Sequence, residues 1–317
     1  MMRDGSDAYV RSDGSPIDYE HAAYIENQAL AYHALDLAAH VVFPDHAKAP
    51  VWLTDAHNLR DATIEQFWMP QHSFFAAAID RYGQVDMLSS AVFELLDSPF
   101  FLGLKEGNEH VENLVRSLYD EDTFMTPIGA RMVSLEQAYL EGDSYYAYQG
   151  SGAVWPVTTG IIANGLRRWG LHRLAHDLGY RRMVGGIEKS NEVSEFTNVH
   201  RISKSPMYRP AESVAGDDPS RIICPSDKAQ LNQAWTASAA LRQLNLQAEY
   251  NHPQSKSMHL SLLDEGIHDE ILRDNLPTAS DSTQKPYRIV CDYQEGAQLK
   301  KDRAADLKGK KSRPREI

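Results

Sequence analysis

Cysteine is almost missing from this chain: only Cys224 and Cys291 occur in 317 residues. That excludes a disulfide framework and suits a reducing compartment. No apolar run reaches the about 20 residues needed to span a bilayer. Met1 to Pro16 carry both charge signs where a signal peptide would be apolar. The expectation is a cytoplasmic protein with no membrane partner. Positive charge is also scarce, 32 Lys and Arg against 44 Asp and Glu, a formal net charge of −12. A nucleic-acid partner needs a basic face, so none is expected. No glycine-rich loop with a phosphate-binding lysine occurs, nor any internal repeat of short fixed period. Segments that read as strands are few, "YRIVCDY" (Tyr287–Tyr293) being the best, and it stands alone.

What the chain has instead is helical periodicity. From Tyr19 to Phe43, Ile25, Ala29, Tyr32, Ala39 and Val42 recur at helical intervals and predict one buried face, with Pro44 as a stop. A second helix is expected from about Leu59 to Tyr82, broken or kinked near Pro70 and ended by Gly83. Shorter helical patterns follow at Asp86–Asp97 and Asn108–Tyr119. Asp120 to Gln149 reads as a long irregular stretch, a length that compact domains reserve for function. Pro156 then opens a helix that ends before Gly170, with proline in the first turn and glycine just past the end. A later helix, about Lys228–Leu246, is marked by Leu231, Ala234, Trp235, Ala239 and Leu241. Residues 1–250 read as helical hairpins around a central cavity. Residues 251–317 read as a poorly structured extension with a basic, solvated tail.

The densest unusual segment is "YYAYQGSGAVWPVTTGIIANGLRRWG", Tyr145 to Gly170. Its glycines let backbone pass close to a ligand, and Trp155 offers a flat apolar face of the kind on which sugar C–H faces stack. On composition alone, a tight loop with packed aromatics explains it equally well. His172 and His176 have metal-ligand spacing beside Asp177, but no third ligand segment accompanies them, so no metal is expected. Ser151 lacks the strand–turn–helix setting of a nucleophile elbow.

The segment resembles the "GSVWP" signature of glycogen-debranching amylo-α-1,6-glucosidases and their six-hairpin relatives, here as "YQGSGAVWP", with Gln149 where those enzymes often have His. Other blocks agree in order. "PIDYEHAAYIENQALAYHALDLAA" (Pro16–Ala39) is similar to the family's Glu-x-Gln helix. Phe67-Trp68 and "FFAAAIDRYG" (Phe74–Gly83) resemble its next helical block. "TPIGARMVS" (Thr126–Ser134) is like its "GIRT" loop, with Arg131 matching the arginine, and "NQAWTASAALR" (Asn232–Arg242) resembles a late helix. The resemblance covers about Asp4 to Arg242. It implies an all-α, (α/α)6 six-hairpin toroid, and the chain reads as its C-terminal portion, with N-terminal helices missing.

Glycosidases work with two carboxyl groups, one protonating the leaving oxygen and the other activating water or attacking. The family inverts, so the resemblance implies a general base and a general acid. Glu195, followed by Phe196 in "NEVSEFTNVH", matches the base, with Glu192 and Glu188 as nearby substitutes. Asp4 matches the acid, although Met2 stands where relatives have Trp. Without the family, Glu195 reads as a solvated loop carboxylate. Trp155, Tyr148, Gln149, Trp68 and Arg131 are the implied substrate-binding residues, with no cofactor. The implied partner is an oligosaccharide or glycogen-type polysaccharide, cleaved at an α-glucosidic, α-1,6 branch bond. Alternatives are a trehalase-like or mannosylglycerate-hydrolase-like enzyme on the same fold, an inactive truncated fragment or carbohydrate-binding remnant, and a sugar epimerase on a related toroid. Oligomeric state cannot be read from the sequence.

Overall fold

The computed structural model describes residues 9, 11–13, 15, 17–120, 123–126, 128–134, 153–190, 197–201, 221–225, 233–251 and 288–289. Helix α1, Ile25–Leu37, buries Ile25, Glu26, Ala29 and Tyr32, the expected face with one carboxylate added. It runs on into a π-helical turn, Ala38–Val42. The wider turn rotates the later residues away from α-helical spacing, so Ala39 stays buried while Val42 is 58% exposed, contrary to expectation. Helix α2, Ala49–Phe67, has a proline in its first turn and packs along α1.

The helix expected from Leu59 to Tyr82 does not form: α2 begins earlier and ends at Phe67. The chain then turns extended. Trp68–Met69 pairs antiparallel with Phe74–Phe75, and Ala78–Asp80 pairs with both Ala23–Tyr24 and Gly83–Val85. Gly83 opens a strand, its φ of +112° being one that L side chains rarely adopt. Phe74 to Ala78 are all buried. Such an unbroken apolar run does not distinguish a buried helix from a buried strand by period, and strand pairing overrides its alanine-rich helix propensity.

A 3₁₀ helix, Ser90–Asp97, is capped by Ser89 Oγ, which accepts from Ala91 N at 3.1 Å. Helix α3, Gly107–Tyr119, follows as expected. Helix α4, Pro156–Arg168, starts and stops where predicted, with Gly170 at φ +78° just beyond it. Helix α5, His172–His176, leads into a π-helical stretch, Asp177–Val184, and then α6, Gly185–Ser190. The main apolar core joins α1, α2, the 3₁₀ helix, α3, α4 and α5.

The late helix α7, Ala234–Asn251, docks on α4, but its buried face is not the expected apolar one. Trp235 and Leu241 are exposed, while Thr236 and Gln243 are buried. Gln243 accepts from Arg167 at 2.7 Å and donates to Asn164 Oδ1 at 3.2 Å and Gly160 O at 3.3 Å. A buried amide satisfied in this way fixes register where apolar contact alone would let the helix slide. Arg288–Ile289 forms a strand within the predicted segment, though not alone: it joins Arg221–Pro225, Thr197–Arg201 and Ala153–Val154 in one sheet.

Candidate active site

Two of the sequence-predicted residues, Arg131 and Trp155, are brought together by backbone pairing. The hairpin Met125–Thr126/Gly129–Ala130 seats itself on the start of α4. Ala130 N donates to Thr159 Oγ1 at 3.2 Å, and Gly129, at φ +142°, leaves no room for a Cβ against Thr159 and Val154. Arg131 then bridges Val154, and Met132 N donates to Ala153 O at 3.0 Å. Arg131 and Trp155 are each 1% exposed. The short strand Ala153–Val154, just before α4, is therefore clamped on one edge by the arginine-bearing segment.

The other edge of the same short strand receives the chain that leaves the predicted base. Val154 pairs with Thr197 and Ala153 with Asn198, antiparallel. Glu195 itself, two residues before Thr197, lies outside the described residues, as do Asp4, Tyr148 and Gln149. The roles of those four rest on the sequence.

Trp155 belongs to a second apolar cluster, distinct from the main core, that includes Tyr9, Ile17, Tyr24, Met87, Met132 and Val133. The N-terminal residues are fastened into it by a buried acid. Asp80 accepts from Arg11, from Asp18 N at 2.9 Å and from Tyr82 N at 2.8 Å, and Arg11 also donates to Gly83 O at 3.3 Å. Burial alone would raise the Asp80 pKa, but these hydrogen bonds and the Arg11 charge outweigh it and hold the carboxyl below its ordinary value. The clamp carries Tyr9 against Tyr24, ring centroids 4.9 Å apart. The Tyr9 hydroxyl donates to Glu26 Oε1.

Trp68 goes elsewhere. It packs edge-on against His110 at 4.4 Å and Phe75 at 4.9 Å, against the main core and apart from the Trp155 cluster. His172 and His176 lie on α5, and among the described residues no group of three His, Cys, Asp or Glu side chains has metal-binding geometry.

Three residues at the site give little signal in the sequence. Trp235, 43% exposed, brings its ring within 6.5 Å of Trp155, whereas its spacing marks it only as part of the apolar face of α7. Tyr9 carries no periodic signal, because its placement depends on Arg11 meeting Asp80 across 69 positions. Glu26 does leave a trace: it is the Glu of the Glu-x-Gln pattern in the Pro16–Ala39 block, a carboxylate three positions before Ala29 on a face otherwise apolar.

No curated protein matches the chain. Among solved structures it is similar to a mannosylglycerate hydrolase of glycoside hydrolase family 63 from Thermus thermophilus (16% identity, TM-score 0.44, 71% of this chain and 46% of that one). It is also similar to the neutral trehalase Nth1 from Saccharomyces cerevisiae (14% identity, TM-score 0.48, 74% of this chain and 39% of that one). A sialidase matches at 14% identity and TM-score 0.44, over 59% of this chain and 18% of that one. The chain thus spans less than half the length of each of these structures. The profile of the mannosylglycerate hydrolase MGH1-like glycoside hydrolase domain matches residues 12–200, more than half of the chain and the whole stretch from Asp80 to Thr197. By that match, the chain belongs to the MGH1-like glycoside hydrolase family.

Proposed function

We propose that the protein hydrolyses the glycosidic bond of a small α-glycoside, of the mannosylglycerate or trehalose kind, with inversion. The observation that carries this reading is the family match over residues 12–200, which includes Arg131, Trp155 and Glu195. Glu195 acts as general base on a water and Asp4 as general acid on the leaving oxygen. In an inverting enzyme such carboxyl groups stand about 6.5–9.5 Å apart, leaving room for the water between them. Trp155, Tyr148 and Gln149 line the sugar. Arg131, buried next to Val154, is the cation that an acidic aglycone such as glycerate would require.

The amylo-α-1,6-glucosidase reading remains the second, favoured by the resemblance of "YQGSGAVWP" and its neighbouring blocks to debranching enzymes. A panel of mannosylglycerate, trehalose, panose, isomaltose and limit dextrin separates the two. The small-glycoside reading expects sugar release from one of the first two. Release from panose, isomaltose or limit dextrin alone refutes it in favour of debranching. Binding without hydrolysis anywhere on the panel points to a carbohydrate-binding protein. Glu195→Gln should lower kcat by roughly a hundred- to ten-thousandfold, the ordinary worth of a general base, with KM little changed. Full activity in that variant removes Glu195 from the mechanism.

A further inference from the structure

Glu26, at the start of α1, is a carboxylate for which the hydrolytic mechanism has no use. It is 3% exposed, and Oε1 accepts from the Tyr9 hydroxyl. Oε2 is buried as well and has no hydrogen-bond partner among the described residues. Carboxylates are acceptors only, and one buried with an unpaired oxygen is costly unless a donor arrives from outside the fold. The partial positive charge at the start of α1 offsets part of that cost but supplies no hydrogen bond to Oε2.

Two donors described on the adjoining segments already have acceptors. Arg11 is held by Asp80 and Gly83 O. The Tyr24 hydroxyl donates to Tyr19 O at 3.2 Å. Burial first, and then the Glu26 charge, raise the pKa of that phenol, so Tyr24 keeps its single O–H, and Tyr19 O takes it. Tyr9, which holds Oε1, belongs to the same buried cluster as Trp155. Through Tyr9, the acceptor is joined to the cluster to which Trp155 belongs. One charged oxygen still able to accept matches one hydroxyl donor.

We propose that Glu26 is a further ligand-binding residue: Oε2 accepts a hydrogen bond from one hydroxyl of a neutral sugar ring, while Tyr9 fixes the carboxylate. The inference rests on the glycosidase reading and deepens it. It assigns the end of the ligand that meets Glu26 to the uncharged sugar, because an acidic group there would be repelled.

The test titrates the full chain calorimetrically with methyl α-D-mannoside and methyl α-D-glucoside, then with the monodeoxy analogues of whichever binds. Glu26→Gln should weaken binding roughly ten- to hundredfold, the scale of a hydrogen bond to a charged acceptor. One deoxy analogue should bind the unmutated protein as weakly as the variant does, which identifies the hydroxyl. The melting temperature of the ligand-free variant should be unchanged or higher, since an unpaired buried charge has been removed. Tyr9→Phe should weaken binding less than Glu26→Gln, because it frees the carboxylate without deleting it. Undiminished binding by Glu26→Gln, or a lowered melting temperature accompanied by uniform loss across all analogues, overturns the inference while leaving the hydrolase reading intact. If the unmutated protein binds neither glycoside yet hydrolyses mannosylglycerate or trehalose, the inference falls and the hydrolase reading stands.

Discussion

The Asp80 clamp is the place where stability and site geometry meet, and Asp80→Asn tests it. The side chain is 0% exposed and gathers three donors: Arg11 and Tyr82 N on Oδ1, and Asp18 N on Oδ2. An asparagine of the same shape keeps one acceptor oxygen. Whichever way it turns, its NH₂ faces a donor, and Arg11 loses its counter-charge. An unsatisfied buried donor costs about 1–3 kcal/mol, and breaking a buried ion pair about 3–5 kcal/mol. Arg11 retains Gly83 O, so the total should lie near the overlap, about 3 kcal/mol by the same principles. Urea unfolding at neutral pH measures this directly. The pH dependence adds a second reading. Because the folded-state pKa of Asp80 lies below the ordinary value of 3.8, its contribution is complete above that pH and is lost as pH falls through the folded pKa. The gap between the unmutated protein and Asp80→Asn should be full at neutral pH and close in acid below the ordinary carboxylate range. The variant should also bind sugar more weakly, although Asp80 touches no ligand, because Tyr9 is held through Arg11. A gap under about 1 kcal/mol, the scale of an exposed ion pair, or one that does not narrow in acid, refutes the clamp.

Two further outcomes rest on packing. Gly165 lies where α4 meets the 3₁₀ helix, and a Cβ there would approach Leu96 C and Cβ at 2.8 Å and Asp97 N at 2.9 Å. Because backbone must move, Gly165→Ala should destabilise by about 1–3 kcal/mol in a urea or thermal melt, and an unchanged melt would show that the approach is loose. His110, packed among Trp68, Phe75 and Phe101, is pushed below its ordinary value of 6.5 by burial, against the opposing charges of Glu109 and Glu106. The unfolded chain therefore binds the proton more readily, and the contribution of neutral His110 to stability is lost as pH falls from about 6.5 through the folded value. An NMR titration that places the His110 ring above 6.5 contradicts this.

The helices whose ends carry local chemistry were legible in the sequence. Helix α4 starts at Pro156 and is closed by Gly170, because a missing N–H and a left-handed turn are properties of single residues. The buried face of α1 was legible for the same reason until the π turn shifted its register at Val42. Phe74 to Ala78 misled, because an unbroken apolar run has no period to read. Helix α7 misled differently: its packing against α4 is polar and centred on Gln243, and no apolar pattern announces that.

At the candidate site the division is sharper. Residue type alone drew attention to the Trp155 segment, whereas Arg131, Glu195 and the glycosidase reading came from the resemblance to a family, and Glu195 lies outside the described residues. Only the tertiary structure sets Arg131 against Val154, joins Val154 to Thr197, sends Trp68 to a different core, and seats Tyr9 on Glu26. The physical reason is range. Caps, turns and helical faces are decided by neighbours within a turn or two. The site is decided by hydrogen bonds and strand pairing between residues tens of positions apart, and their partners cannot be read from either segment alone.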